Sequence, residues 1–295
     1  ICPMPYFSPK SSLACITSEK ITCFNGVPTM FIAMFNHPDY KKTDFSYMRT
    51  GIMAGSPCPI EKMREVAEKM YMRDIVIVYG QTETSPGVTM STTSDSLEMR
   101  VSTVGRAFPH TEIKISDPKT GKILPRGQIG EICARGYCTM KGYYNNPMAT
   151  RQVIDENHWL HSGDLGTMDE EGYIRMTGRL KEMVIRGGEN LYPREIEEFL
   201  HRHPKISDVY IIGVPDAKYG EELCAWIRPE EGFTLTEADI RSFCDGKIAR
   251  YKIPRYYRFC DSFPMTVTGK IQKGEMQKIS IAELGLDAAA KIKTA

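Results

Sequence analysis

Four short clusters carry the residue types and spacings from which a site could be built. The first, Tyr79-Gly80-Gln81-Thr82-Glu83, follows the β-branched run from Ile75 to Tyr79. A glycine after a buried strand lets the backbone turn sharply. Thr82 and Glu83 then offer a hydroxyl for a phosphate oxygen beside a carboxylate for a hard cation such as Mg²⁺. The second, Ser162-Gly163-Asp164-Leu165, sets an aspartate behind a glycine turn, where it can accept two hydrogen bonds from a ribose diol. Each also reads, taken alone, as a plain turn.

The third cluster, Gly178-Arg179-Leu180-Lys181-Glu182, runs into Arg186-Gly187-Gly188-Glu189-Asn190. Its alternating charge fits a solvated face. The paired glycines point to strained backbone or to something packed against the main chain, because the preceding Lys181 to Ile185 reads as strand rather than helix. The fourth runs from Pro264 to Lys270 and falls short of a phosphate-binding P-loop, which needs glycine where Pro264 stands and serine or threonine at Ile271. What remains is Lys270 on a glycine turn, a point cation able to reach across a cleft, or an ordinary surface lysine.

Elements must hold these clusters. Ile60, Met63, Val66, Ala67 and Met70 recur at helical spacing behind Pro59, and the strand Ile75–Tyr79 follows at once. Helix, buried strand and glycine-led loop form an α/β rhythm in which ligands sit beyond the carboxyl ends of strands. From about Val101 the pattern changes to short strands and turns: Thr111 to Asp117, the turn Pro118 to Lys122 and Gly127 to Gly136 as a hairpin-like unit, then Tyr173 to Met176 behind the turn at Asp169. After Gly188 it reads as helix (193–203), strand (208–214), strand (222–227), a helix opened by the capping pair Thr236 and Asp239, and strand (256–260). The domain boundary is expected near Arg179 to Lys181, giving 1–179, a hinge at 180–181, 182–280 and a tail at 281–295.

A chain of 295 residues is long for one core, so two unequal domains are expected. Lysine plus arginine number 38 against 37 aspartate plus glutamate, a net charge of +1, which gives no electrostatic argument for nucleic acid or an acidic membrane as principal partner. The longest strongly apolar run is far short of the roughly 18 residues of a spanning helix. Nine cysteines without a C-x-x-C pair read as reduced and intracellular. Neither pair, His158 with His161 or His201 with His203, has a third ligand at zinc-like spacing, so no metal site of protein ligands alone is expected. Oligomeric state is not readable.

Together, and in this order, YGQTE, GEICARG, SGDL, GRLKEMVIRGGENLYPREIE and PMTVTGK resemble the signature series of the adenylate-forming superfamily. The similarity spans about residues 1 to 280 and is nearest to the medium-chain fatty acyl-CoA synthetases, notably their mitochondrial branch, through AGSP, RGGEN and TGKIQK. The resemblance implies an α/β with α+β fold: the C-terminal half of a large AMP-binding domain, with α/β layers and a small β-barrel-like subdomain, followed by a small α+β domain.

It also implies the chemistry. A fatty acid carboxylate attacks the α-phosphorus of Mg·ATP, and coenzyme A then takes the acyl group from the adenylate. By resemblance, Gly55 and Ser56 contact adenine, Tyr79 packs on its face within the Tyr79-Gly80-Gln81 segment, Thr82 holds the α-phosphate and Glu83 binds Mg²⁺. Asp164 and Arg179 hold the ribose, Lys270 bridges carboxylate and phosphate, Lys181 is the hinge, and Gly187 and Gly188 line the coenzyme A channel. The family's phosphate-wrapping loop is not found in the 78 residues before Tyr79, so an N-terminally incomplete chain is expected. A non-catalytic nucleotide- or coenzyme A-binding remnant and a luciferase-like adenylating oxidase remain as alternatives.

Overall fold

The computed structural model describes residues 1–55, 59–266 and 270–290. The chain divides into two compact units, Ile1–Met176 and Thr177–Ala295. The division falls three residues before the expected boundary at Arg179.

In the first unit, β1 (Thr50–Met53) and β2 (Asp74–Tyr79) run parallel, with Met53 opposite Ile77. Two earlier helices, α1 (Pro9–Ser18) and α2 (Pro28–Phe35), come before β1. The crossover between β1 and β2 is α3 (Ile60–Lys69), capped at Pro59. Its expected apolar stripe is the buried one: Met63, Val66, Ala67 and Met70 are at most 3% exposed. The stripe joins Leu13, Ile16, Phe31 and Met34 of α1 and α2, and Met53, Ile75 and Ile77 of the sheet, in a single core. That burial supplies the stability that so short a helix lacks in isolation.

The short strands β3 (Thr89–Met90), antiparallel to β2, and β4 (Arg106–Ala107), antiparallel to β3, extend this sheet in the order β1-β2-β3-β4, with α4 (Leu97–Ser102) between them. A second sheet, β5 (Thr111–Ser116), β6 (Gly130–Gly136), β7 (Leu160–Met168) and β8 (Ile174–Arg179), is ordered sequentially. The helix α5 (Pro147–Val153) lies between β6 and β7. Ser162-Gly163-Asp164 therefore does not form a turn. It lies within β7, where the register shifts opposite Glu131 and Cys133 and Gly163 takes φ +71°. A bulge of this kind re-aims the side chain that follows it.

In the second unit, β9 (Val184–Arg186) and β10 (Glu189–Leu191) form a hairpin closed by Gly187 and Gly188. Both glycines have positive φ, +59° and +91°, which two-residue hairpin turns of this hand demand. The backbone therefore explains the paired glycines, and a Cβ on Gly188 would meet nothing within 4 Å. After α6 (Pro193–Leu200), the long pair β11 (Ile206–Asp216) and β12 (Gly220–Pro229) fills the centre. Next come α7 (Glu237–Cys244), β13 (Tyr256–Phe259) parallel to β12, and α8 (Lys273–Glu283). The expected capping box of Thr236 and Asp239 opens α7. Among the described residues no helix is long and apolar enough to cross a membrane.

Candidate nucleotide site

The carboxyl end of β2 delivers Tyr79, and the chain must then reverse in very little space. A Cβ on Gly80 would lie 2.2 Å from the Pro86 carbonyl oxygen and 2.7 Å from the Gly87 Cα, so only glycine fits. A short 3₁₀ turn, Thr82–Thr84, follows, held by reciprocal bonds between Gln81 and Thr84. Thr84 is buried, whereas Thr82 is exposed and Glu83 half-buried. The turn thus faces a hydroxyl and a carboxylate toward solvent from a fixed backbone.

Glu83 is held on two sides. Its carbonyl accepts from the Met140 amide at 2.8 Å, and its Oε1 accepts from the Tyr143 hydroxyl at 2.7 Å. That hydrogen bond raises the Tyr143 pKa, because the phenol keeps its proton for the carboxylate. Sequence reasoning missed Tyr143. It belongs to the segment KGYYNNP, whose polar and aromatic character carries no sign that a residue 60 positions away is its partner.

The bulge in β7 brings Asp164 to the same place. The Tyr79 hydroxyl donates to Asp164 Oδ2 at 3.0 Å, which joins the first and second clusters across 85 residues. Asp164 is 7% exposed. Its amide donates to Ser162 Oγ at 3.0 Å, the Ser162 hydroxyl donates to the Ile132 carbonyl at 2.6 Å, and the Gly163 amide donates to Glu131 Oε1 at 2.9 Å. Tyr79, Gln81, Thr84, Ile132 and Ser162 border a small recess.

Gly55 leaves β1 two residues beyond Met53, at the same carboxyl end of the sheet as Tyr79, with φ +88°. Ser56 lies outside the described residues. Arg179, Lys181, Gly187, Gly188 and Lys270 belong to the second unit. Arg179 ends β8, and Lys181 lies exposed in the 3₁₀ turn Leu180–Glu182. Lys270 is exposed, its amide donating to Thr266 Oγ1 at 3.0 Å and its carbonyl accepting from the Thr266 amide at 2.8 Å. Three residues on, Lys273 binds Glu197 at 2.8 Å and Glu182 at 3.0 Å, tying the start of α8 to the turn that carries Lys181. Burial opposes the charge on Lys273, but the two carboxylates win and raise its pKa.

The pair His158 and His161 has no third ligand at zinc-like spacing along the chain, and His161 instead meets Glu131 and Cys133 across the β6–β7 ladder. Cross-strand pairing, which linear spacing does not express, brings them together.

The family models match this architecture: AMP-binding enzyme over residues 1–144 and AMP-binding enzyme C-terminal domain over 195–270. The chain belongs to the AMP-binding, adenylate-forming enzyme family. Within it, the chain is 53% identical over 287 residues to the putative acyl-CoA synthetase YngI of Bacillus subtilis, covering 97% of this chain and 52% of that protein. It is 45% identical over 274 residues to the mitochondrial medium-chain acyl-CoA ligase ACSF2 of Rattus norvegicus, covering 93% and 45% respectively. The crystal structure of ATP-bound MatB from Rhodopseudomonas palustris superposes with a TM-score of 0.86 at 33% identity, over 94% of this chain and 54% of that one. The chain thus spans about half the length of the curated relatives it matches. One relative is bacterial and the other mitochondrial, so kinship alone fixes no compartment.

Proposed function

We propose that the chain is the adenylate-handling and C-terminal part of an AMP-forming acid–thiol ligase, with a medium-chain fatty acid, ATP and coenzyme A as substrates. The observation that carries this reading is the union of Tyr79 and Asp164 at the end of β2, with Thr82 and Glu83 on the turn that follows. An aromatic face, a carboxylate for a diol, a hydroxyl and a second carboxylate are the groups a nucleoside phosphate asks for, and all four are mounted on backbone that cannot shift cheaply. The acyl class follows the name of the rat relative.

In this reading Gly55, Ser56 and the Tyr79-Gly80-Gln81 segment hold adenine, Asp164 and Arg179 hold the ribose, and Thr82 holds the α-phosphate. Mg²⁺ fits Glu83, a half-buried carboxylate steadied by Tyr143. Bound there, the ion would neutralise phosphate charge. Lys270 supplies the cation for charge developing during adenylation, and its loss is expected to cost roughly 10²- to 10³-fold. Lys181 is the pivot between half-reactions, and the exposed Gly187-Gly188 turn is the coenzyme A contact. No side-chain nucleophile is required.

Calorimetric titration of AMP into the chain tests the nucleotide site. Asp164→Ala should weaken binding by at least about tenfold, the loss of a hydrogen bond pair to a charged group. Equal AMP affinity in wild type and Asp164→Ala would remove the ribose role. Octanoate-dependent exchange between ATP and pyrophosphate in the full-length protein tests the reaction itself, and its absence would leave only a nucleotide-binding module.

A further inference from the structure

The β6–β7 ladder sets Cys133 directly across from His161. Glu131, two residues before Cys133, faces the same side of the sheet, as strand alternation requires. Its Oε2 lies 2.8 Å from His161 Nδ1, and Cys133 Sγ is 3.5 Å from that nitrogen and 4.0 Å from that oxygen. A thiol, an imidazole nitrogen and a carboxylate oxygen therefore converge on one point. Glu131 and Cys133 are buried, while the His161 side chain keeps 28% exposure and leaves a way in.

We propose that Glu131, Cys133 and His161 form a binding site for a thiophilic divalent cation of the zinc class, with the fourth position open to water. In a tetrahedral zinc site, bonds of about 2.0 to 2.3 Å place neighbouring ligand atoms about 3.3 to 3.7 Å apart. The three edges here, 2.8, 3.5 and 4.0 Å, bracket that range, so a cation would need only sub-ångström shifts.

A second feature points the same way. His161 Nε2 faces Asp155 Oδ2 at 3.6 Å. When Nδ1 ligates a cation its proton must sit on Nε2, and Asp155 is there to accept it. Ligating histidines are oriented by a carboxylate in just this way. Asp155 is itself held in place by the amides of Trp159 and Asn157, which both donate to its Oδ1 at 2.9 Å.

The proton and charge balance closes. Without a cation the fully buried Cys133 carries its thiol proton, since a bare thiolate there would be an uncompensated buried charge. On binding, the S–H bond breaks and its proton goes to solvent. The imidazole proton moves from Nδ1 to Nε2, and the sulfur and nitrogen lone pairs bond the cation. A thiolate, a carboxylate and a dication sum to zero charge, the cheapest state for a buried centre. Glu131 keeps its other oxygen on the Gly163 amide, so the cation would stiffen the bulge that holds Asp164.

Titration of the chain with Cd²⁺, read by the ultraviolet thiolate-to-metal charge-transfer band with Zn²⁺ as competitor, tests the site independently of any ligase activity. One tight equivalent is expected in wild type and in Cys138→Ser, which removes a buried thiol outside the trio. It should be lost in Cys133→Ser and weakened at least about tenfold in His161→Asn, and Asp155→Asn should weaken it by about 10- to 100-fold. Circular dichroism checks that each variant folds, and if Cys133→Ser does not, His161→Asn decides. Titrations that superpose for wild type and His161→Asn would overturn the proposal. Any cation bound then belongs to exposed thiols such as Cys2 and Cys23, and the trio is only a hydrogen-bonded network.

Discussion

Tyr79 and Asp164 show what single residues in this chain reveal and conceal. Their types and neighbours are legible in the sequence, because a glycine after a β-branched run and an aspartate behind a glycine both mark places where backbone presents a side chain. Their partnership is not, since 85 positions separate them and they stand on strands of two different sheets, β2 and β7, which meet only in the folded unit. Tyr143 and Glu131 are hidden for the same reason. Gly80 is the reverse case, a residue whose identity the structure explains fully. Gly80→Ala should cost about 1–3 kcal/mol, because its Cβ would strike backbone that cannot swing aside. Gly274→Ala, at the start of α8 with nothing within 4 Å, should be neutral or slightly stabilising, and thermal unfolding of the two variants measures the contrast.

At the scale of elements, periodicity located α3, β2, β5, β6, β11, β12 and α7 to within a few residues, since each is long enough to bury one face. It failed at β7, where the Gly163 bulge lets a turn-like triplet lie inside a strand. One titration belongs to this scale. Asp208, at the start of β11, is buried, and burial pushes its carboxyl up to about 6 against the pull of Arg228 on β12 and the Tyr210 hydroxyl. His201, at the end of α6, also faces it at 3.5 Å. The folded state therefore keeps a proton that the unfolded chain releases near the ordinary carboxylate value. Unfolding sheds that proton between about pH 4 and 6, so this contribution to stability falls as pH rises through that window and is level above it. A shift of this size corresponds to about 3 kcal/mol at most. Denaturation followed by Trp226 fluorescence in a Trp159→Phe background should show the slope in Asp208 protein, and Asp208→Asn should flatten it.

For the whole molecule, the order of motifs was the legible part. YGQTE, SGDL, the long linker segment and the lysine near the C-terminus succeed one another as in the acyl-CoA synthetases, and the two family models fall on the two compact units. Each unit has a hydrophobic core of its own. If, as proposed, Lys270 and the Gly187-Gly188 turn serve different half-reactions, their variants should fail differently in the two steps. Lys270→Ala should slow adenylation by roughly 10²- to 10³-fold yet spare thioester formation from supplied acyl-adenylate, and Gly188→Leu should do the reverse. Rapid-quench assays of each half-reaction decide, and equal losses in both steps for both variants would contradict the division of labour.

The kink inside β7 has one more implication. Because Ser162, Glu131 and Ile132 stitch it from both sides, Asp164 stands on woven sheet and not on a swinging loop. An arriving sugar would meet a stationary anvil whose entropy was surrendered when the chain first folded, and the encounter itself would have little left to freeze.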